Sequence, residues 1–209
     1  MNWLERDLYE NFTPLHFAAS CGTLRRVPRE ILLIKNLLIK DGNGWTSYHH
    51  AAASGHLNQI PRKRITAKTL AVKIKSTTSK DDQGKTALHL AAKNGHLDQV
   101  PKELFSTENI MAEDSSGFSS LYLAAKHEHL DQIPKELLTA ENLLKKYEGD
   151  TTTLHQVWLE AQLNHVLGIA LPDEAQKIVG LEWWSKNQNA IKAKATLNMS
   201  AEVADIELF

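Results

Sequence analysis

The sequence predicts an all-α protein, in which stacked helix pairs form a solenoid that ends in a C-terminal helical cap. Three observations indicate this fold class: a twelve-residue segment recurs at regular spacing, a proline landmark recurs with it, and the composition is ordinary. Hydrophobic residues make up 42% of the 209 residues and charged residues 23%, so we expect the chain to fold rather than to be disordered or fibrous.

The recurring segment begins at positions 13, 46, 86 and 119, so successive copies are 33, 40 and 33 residues apart. The copies read TPLHFAASCGTL, TSYHHAAASGHL, TALHLAAKNGHL and SSLYLAAKHEHL, and they are numbered repeats 1 to 4. A divergent fifth copy begins at Thr152. Because an aliphatic residue and a proline follow each of the four copies at the same distance, the chain is interpreted as an internal repeat. These landmarks are Val27-Pro28, Ile60-Pro61, Val100-Pro101 and Ile133-Pro134.

Each repeat is predicted to form two helices. The initial threonine is a good N-cap, the alanine pair lets neighbouring helices approach closely, and a glycine suits a left-handed C-terminal turn. The second helix is predicted to begin at Asn58, Asp98 or Asp131, so that the landmark proline falls in its first turn, where proline is tolerated. Helices of about 8 to 10 residues are marginal alone, so they should be stable only when neighbouring repeats pack together.

The period and the string T-x-L-H-x-A-A-x-x-G-H-L resemble the ankyrin repeat family over roughly residues 11–168. We therefore expect an array of about four full repeats and a divergent fifth over residues 1–168, followed by a helical cap and acidic tail over residues 169–209. The segment I/V-P-K-E-L-L-T-x-E-N-L departs from the usual second helix and is similar to that of bacterial ankyrin proteins. The resemblance implies a protein-binding module, an adaptor or inhibitor, that uses a concave surface of turn fingers and first helices.

The resemblance also indicates which positions contact a partner. Trp45 and Phe118 stand out among them, because exposed aromatic side chains are common binding hot spots. Alternatively, each ring packs on the neighbouring finger and has no partner. The full predicted set is Asn43, Trp45, Gln83, Lys85, Lys93, Asn94, Phe118, Lys126 and His127.

Charge is concentrated at one place in repeat 2, which is seven residues longer than its neighbours. Residues 62–85 carry eight basic and two acidic side chains, and residues 1–80 as a whole carry 13 basic and five acidic ones. We expect an extended basic finger that is a docking arm for an acidic protein or for nucleic acid, or else a solvated loop. Its residues are Arg62, Lys63, Arg64, Lys68, Lys73 and Lys75.

The C-terminal end suggests an alternative function. Residues 181–197, which include Trp183 and Trp184, are predicted to form an amphipathic helix that covers the last repeat or, alternatively, is a separate binding helix. Ile206, Leu208 and Phe209 weakly resemble the bacterial sliding-clamp-binding peptide, although the usual leading glutamine is Asp205. The alternative is therefore a nucleic-acid- or replication-associated factor. The tail is otherwise expected to fold back on the C-terminal helices or to make another peptide contact.

Several functional classes are not expected. The sequence contains no phosphate-binding glycine loop, G-x-S-x-G or H-E-x-x-H motif, so we predict neither an enzyme nor a cofactor. The histidines recur in register, which favours hydrogen bonds within the repeat over a metal site. No apolar run approaches the roughly 18 residues of a membrane span, and the start has no secretory pattern. Because Cys21 is the single cysteine, a cytoplasmic protein is expected. The protein is also expected to be a monomer.

Overall fold

The computed structural model describes residues 2–6, 11–74 and 84–143, together with Lys145, Tyr147 and Thr153. The chain divides into two compact units, residues 1–132 and 133–209. In the described ranges the regular structure is helical, apart from one isolated bridge between Glu113 and Ser119. The predicted all-α fold class is therefore confirmed. The expected cap over residues 169–209, with Trp183 and Trp184, lies outside the described residues.

The α-helices alternate between a longer and a shorter type along the described chain. The longer ones are the first helices of the four repeats, and the shorter ones follow the landmark prolines. In order they are α1 (Pro14–Ser20), α2 (Ile34–Leu37), α3 (Ser47–Ala53), α4 (Ala67–Leu70), α5 (Ala87–Asn94), α6 (Thr107–Met111), α7 (Ser120–Lys126) and α8 (Ala140–Leu143).

The first helices begin as predicted, at a threonine or serine N-cap. In repeats 1 to 3 the cap is reciprocal, because the threonine hydroxyl accepts from the backbone three residues later and the histidine at that position reaches back. Repeat 4 uses a simpler cap, in which Ser119 accepts a hydrogen bond from the Tyr122 amide at 3.1 Å. The cap fixes the direction in which each first helix leaves its finger, the turn just before it.

The first helices pack side by side in residues 1–132, α1 against α3, α3 against α5 and α5 against α7. The alanine pair of every repeat is buried, with exposed fractions of 0 to 1%. Small side chains at the contact allow the close approach that the sequence predicts, and the leucine that ends each recurring segment closes the core behind them. The long-range contacts are thus made between equivalent helices of successive repeats.

The prediction of a continuous second helix is wrong. A 3₁₀ turn, Leu57–Gln59 in repeat 2, ends at Ile60, whose φ and ψ of −77° and 131° are extended. Pro61 follows at −54° and 127°, and a second 3₁₀ turn, Arg62–Arg64, precedes α4. The physical reason is that proline disfavours helical geometry at the residue before it. The same break occurs at Val27 and Val100.

An asparagine recurs in the segment that follows the landmark proline, called the variant segment below. Its side chain stabilises the region where the predicted second helix is interrupted. Asn36 Nδ2 donates to the Ile31 carbonyl at 2.8 Å, and Asn109 Nδ2 donates to the Leu104 carbonyl at 2.9 Å. Each bond therefore joins the short α-helix to the turn that precedes it. Repeat 2 has Thr69 in place of the asparagine. In that repeat the Tyr48 hydroxyl donates to the Arg64 carbonyl at 2.6 Å.

In the second unit the description covers residues 133–143 and three later residues. The 3₁₀ turn Lys135–Leu137 follows Pro134, and Asn142 Nδ2 donates to the Leu137 carbonyl at 2.8 Å. The variant segment of repeat 4 thus has the same internal bond as repeats 1 and 3.

Candidate protein-binding surface

Two fingers are built by the same aspartate-capped turn. In repeat 2 the Asp41 Oδ1 atom accepts from the amides of Asn43 and Trp45, both at 2.9 Å. In repeat 4 the Asp114 Oδ1 atom accepts from the amides two and four residues later, at 2.8 and 3.0 Å. Because the same bonds form in both turns, Trp45 and Phe118 occupy equivalent positions at the ends of the two fingers.

The Trp45 ring packs against the first helix of its own repeat. Its centroid lies 5.1 Å from the His50 ring and 6.3 Å from the His49 ring. The side chain is half-buried, so part of the ring remains accessible. The expected exposure of Trp45 is therefore met in part, and its packing partner is a first helix rather than a neighbouring finger.

The Phe118 ring also packs against the first helix of its own repeat, but its partners are Tyr122 and Lys126. Its ring stacks on Tyr122 with a centroid distance of 4.7 Å and an interplanar angle of 6°. The Lys126 ammonium lies 5.6 Å from the centroid of the Phe118 ring, a cation–π contact. Phe118 is half-buried and Lys126 is exposed, so these two predicted positions present adjoining apolar and cationic surface.

The structure does not place Lys85 on the surface, contrary to expectation. Lys85 holds in repeat 3 the position of Trp45 and Phe118, but it is 6% exposed. Its ammonium lies 3.8 Å from the Asp114 Oδ2 atom in the next finger. A buried ammonium requires a compensating charge, and the finger of repeat 4 supplies it. Lys85 thus joins two repeats, and its predicted contact with a partner would require the side chain to leave this pair.

The other predicted positions are accessible to different degrees. Asn43 and Asn94 are exposed, and Asn94 Nδ2 also donates to the Leu90 carbonyl at 2.9 Å. Lys93 and His127 are half-buried. Gln83 lies outside the described residues. The positions that remain accessible thus belong to repeats 2, 3 and 4.

Sequence reasoning missed an aromatic side chain on α1. Phe17 is 59% exposed, and it lines an apolar cleft of about 750 Å³ with Trp3 and Phe12. The equivalent residues in repeats 3 and 4, Leu90 and Leu123, are buried, and the first helix of the preceding repeat packs against each of their helices. Comparison of the repeats was the available signal, because an aromatic residue at this position of repeat 1 has no preceding repeat in the described chain to pack against.

A polar network at the first two repeats was also missed. His50 Nε2 donates to Asp41 Oδ2 at 2.8 Å, and His50 Nδ1 lies 3.1 Å from Ser20 Oγ. The same Asp41 carboxylate caps the finger through its other oxygen. Burial acts to raise the pKa of Asp41, but the hydrogen bonds from His50 and from the Trp45 amide together outweigh it, so the pKa lies below its ordinary value. The network fixes the finger of repeat 2 against both α1 and α3.

The recurring histidines are structural. Because the amides of Thr13, Thr46 and Thr86 donate to Nδ1, the proton of each ring resides on Nε2. That atom donates to a carbonyl near the next finger, at 2.8 Å for His16 and for His49 and 3.1 Å for His89. Burial is the main cause that lowers the pKa of His49 and of His89 to about 4. The neutral ring therefore joins successive repeats.

The members of the predicted basic finger that the structure describes lie on a 3₁₀ turn, on α4 and in the segment that follows α4. Arg62, Lys63 and Arg64 form a 3₁₀ turn, and Lys68 is exposed on α4. Arg62 pairs with Glu103 of repeat 3 at 3.0 and 2.6 Å.

The chain beyond α4 forms hydrogen bonds within the finger of repeat 3 and with the finger of repeat 4. The Ile74 amide donates to the Lys85 carbonyl at 2.8 Å, and Lys73 Nζ donates to the Glu113 carbonyl at 2.7 Å. Lys75 lies outside the described residues, as do Ile206, Leu208 and Phe209 of the predicted C-terminal peptide.

Two features are absent from the residues that the structure describes. No cluster of three or more histidine, cysteine or acidic side chains there is arranged to hold a metal ion. No helix in the same residues has the length and apolar character needed to cross a membrane.

Comparison with known proteins identifies a family to which part of the chain is similar. Residues 63–155 match the family model described as Ankyrin repeats (3 copies). No curated protein matches the sequence. The match begins within repeat 2, whereas the structure shows the same caps and first-helix packing from Thr13 onward.

Proposed function

Because this chain contains ankyrin repeats, we propose that it binds a partner protein through its fingers and first helices, as an adaptor or inhibitor. Ankyrin repeats are generally protein–protein interaction modules. The observation that supports this site is the equivalent placement of Trp45 and Phe118 by two matching aspartate-capped turns. Each ring contributes accessible aromatic surface, which is the usual chemistry of a binding hot spot.

The rigidity of the two fingers favours affinity. Trp45 is held by the Asp41 cap and by His50, and Phe118 by the Asp114 cap and by Tyr122. A side chain that is already ordered loses little conformational entropy on binding, whereas a mobile one costs about 0.5 to 1.5 kcal/mol to immobilise. The packing of the rings on their own helices is therefore compatible with partner binding.

The polar surroundings favour a partner that carries acidic groups near its apolar contact. Lys93 of repeat 3 and Lys126 of repeat 4 occupy equivalent positions on their first helices. Lys126 is exposed beside Phe118, and Asn43 is exposed near Trp45. Charges at the rim of a contact mainly direct association and exclude unsuitable partners.

The experiment compares the wild-type chain with a Trp45→Ala/Phe118→Ala variant. Immobilised full chains capture proteins from native lysate, quantitative mass spectrometry identifies those lost with the variant, and calorimetry measures the binding of each purified candidate. Truncating one hot-spot residue costs about 2 kcal/mol or more, so we expect at least a roughly 30-fold loss of affinity for each ring.

The matched control is Phe105→Ala, because Phe105 is also half-buried but belongs to the segment after the second 3₁₀ turn of repeat 3. This control should bind normally, and circular dichroism should show that all variants fold. A doubly substituted chain that folds and still binds every captured partner with unchanged affinity would contradict the proposal.

The alternative, a nucleic-acid- or replication-associated factor, has less support in the basic segment. Arg62 is paired with Glu103, and the Lys73 ammonium is bound to a backbone carbonyl. A gel shift with single- and double-stranded DNA at low salt tests this alternative directly, since phosphate contacts weaken steeply as salt increases. The expected monomer is tested by light scattering.

A further inference from the structure

A basic groove lies between repeats 1 and 2, away from the fingers and first helices. It is lined by residues of the segments 24–32 and 58–64, and its volume is about 580 Å³. Leu24, Val27 and Ile60 form an aliphatic floor, and each is at most 4% exposed as a residue. The groove exists because both segments run extended at their landmark prolines and leave space between the 3₁₀ turns.

The side chains around this floor are basic. Arg25, Arg29 and Lys63 are exposed, Arg64 is half-buried, and no carboxylate is among the lining residues. These four cations make no ion pair with the described part of the chain, whereas Arg62 at the same groove is paired with Glu103. The groove therefore combines an apolar floor with four cations whose charge the described residues do not neutralise.

Comparison of the repeats shows that the fold does not require these charges. The turn after the landmark proline reads Lys102-Glu103-Leu104 in repeat 3 and Lys135-Glu136-Leu137 in repeat 4. Repeat 2 has Lys63 in place of the glutamate and Arg64 in place of the leucine, yet it forms the same 3₁₀ turn. The two cations thus replace an acidic and an aliphatic residue at positions where the local geometry accepts either.

We propose that this groove binds an extended acidic peptide segment of a partner protein, in which aliphatic side chains alternate with carboxylates. Carboxylates are the groups that complement arginine and lysine at the rim. Aliphatic side chains complement the half-buried Pro61 ring and the methylene stems of the arginines, since the floor residues themselves are already almost fully buried. Nucleic acid fits less well, because single strands bind through aromatic stacking platforms and no aromatic residue lines the groove.

The test uses fluorescence anisotropy with the full chain and a short labelled peptide that alternates glutamate and leucine. The variant Lys63→Glu/Arg64→Leu restores the pattern of repeats 3 and 4, so it is expected to fold. The control Lys102→Glu/Lys135→Gln changes exposed lysines elsewhere, and both double variants lower the net charge by the same three units. We expect the groove variant to lose at least about fivefold in affinity, with the control within about twofold of the wild type.

Two further probes separate the chemical classes. A peptide that alternates glutamate and serine has the same charge and should bind several-fold more weakly, because it cannot cover the Pro61 ring and the arginine stems of the groove. A single-stranded oligonucleotide of equal charge should bind more weakly than the glutamate–leucine peptide.

Three results would overturn the proposal: no peptide binding, an equal loss in the two double variants, or preferential binding of the oligonucleotide. A Trp45→Ala/Phe118→Ala chain should bind the peptide normally, so failure of this groove is distinguishable from failure of the finger surface.

Discussion

Replacing Gly95 by alanine tests how successive repeats are held together. Gly95 ends α5 with a φ of +73°, a left-handed conformation that costs alanine about 1 kcal/mol. An added Cβ would lie 2.7 Å from Cε1 and 2.9 Å from Nδ1 of His129, which belongs to repeat 4. Ordinary carbon contacts are about 3.5 Å or longer, so the imidazole must move. Such overpacking costs about 1 to 3 kcal/mol, and with the backbone strain we therefore expect Gly95→Ala to lower the free energy of unfolding by about 2 to 4 kcal/mol.

Gly117 provides the matched control for backbone strain. Its φ is +78°, yet a Cβ added there meets nothing within 4 Å. Gly117→Ala should therefore cost about 1 kcal/mol, from the backbone alone. The difference of about 1 to 3 kcal/mol between the two alanine variants measures the contact between repeats. Glu128, which adopts a φ of +65° at the equivalent position of repeat 4, gives the reverse change, since Glu128→Gly should stabilise the chain by about 1 kcal/mol.

The assay is urea denaturation, followed by far-ultraviolet circular dichroism and by tryptophan fluorescence. A double-mutant cycle with His129→Ala isolates the interaction, because Gly95→Ala should cost less when the imidazole is absent. Equal costs for Gly95→Ala and Gly117→Ala would refute the reasoning. So would an unchanged cost of Gly95→Ala in the His129→Ala background, since the ring would then not limit the space at the turn.

Three further predictions concern the bonds that join and stabilise the repeats. Because burial lowers the pKa of His49 and of His89 to about 4, their contribution to stability is complete above the unfolded value of 6.5 and is lost as the pH falls. Urea titrations should show about 2.5 kcal/mol less stability at pH 5.5 than at pH 7.5, and no change would contradict the assignment of neutral rings. Asn109→Ala should cost about 1 kcal/mol by removing the bond to the Leu104 carbonyl, whereas Thr107→Ala on the exposed side of α6 should be nearly neutral. Tyr48→Phe should cost about 1.5 kcal/mol by thermal denaturation, and an unchanged stability would show that Thr69, 3.4 Å from the same Arg64 carbonyl, suffices.

Much of the fold follows from short-range patterns. The N-caps and the left-handed turn at Gly95 depend on residues within one repeat, and the alanine contacts depend on a pair that recurs in every repeat, so the recurring string predicts them. The break in the second helix was harder to predict, because proline has two opposing effects at the start of a helix. Proline is tolerated in a first turn, but it also forces the preceding residue into extended geometry, and the extended Ile60 shows that the second effect prevails here.

The candidate site was less predictable because its side chains are positioned by other repeats. Lys85 looks like a surface lysine in sequence, yet Asp114 lies 29 positions later and draws it into a buried pair. Asp41 acts on both its own finger and His50, a double role that one repeat read alone does not reveal. A close reading of the finger sequence would have shown that both aspartates precede the finger aromatic by four residues.

Comparing equivalent positions of the four repeats distinguishes the residues that the fold requires from those that it does not. The threonine, histidine and asparagine that recur in register all have hydrogen-bond partners that the fold requires. Where the residue type changes while the backbone does not, the fold gives no reason for the choice. Trp45 and Phe118 occupy one such position, and Lys63 and Arg64 occupy two others. Since these substitutions leave the local geometry unchanged, the finger surface and the basic groove are the places to test binding.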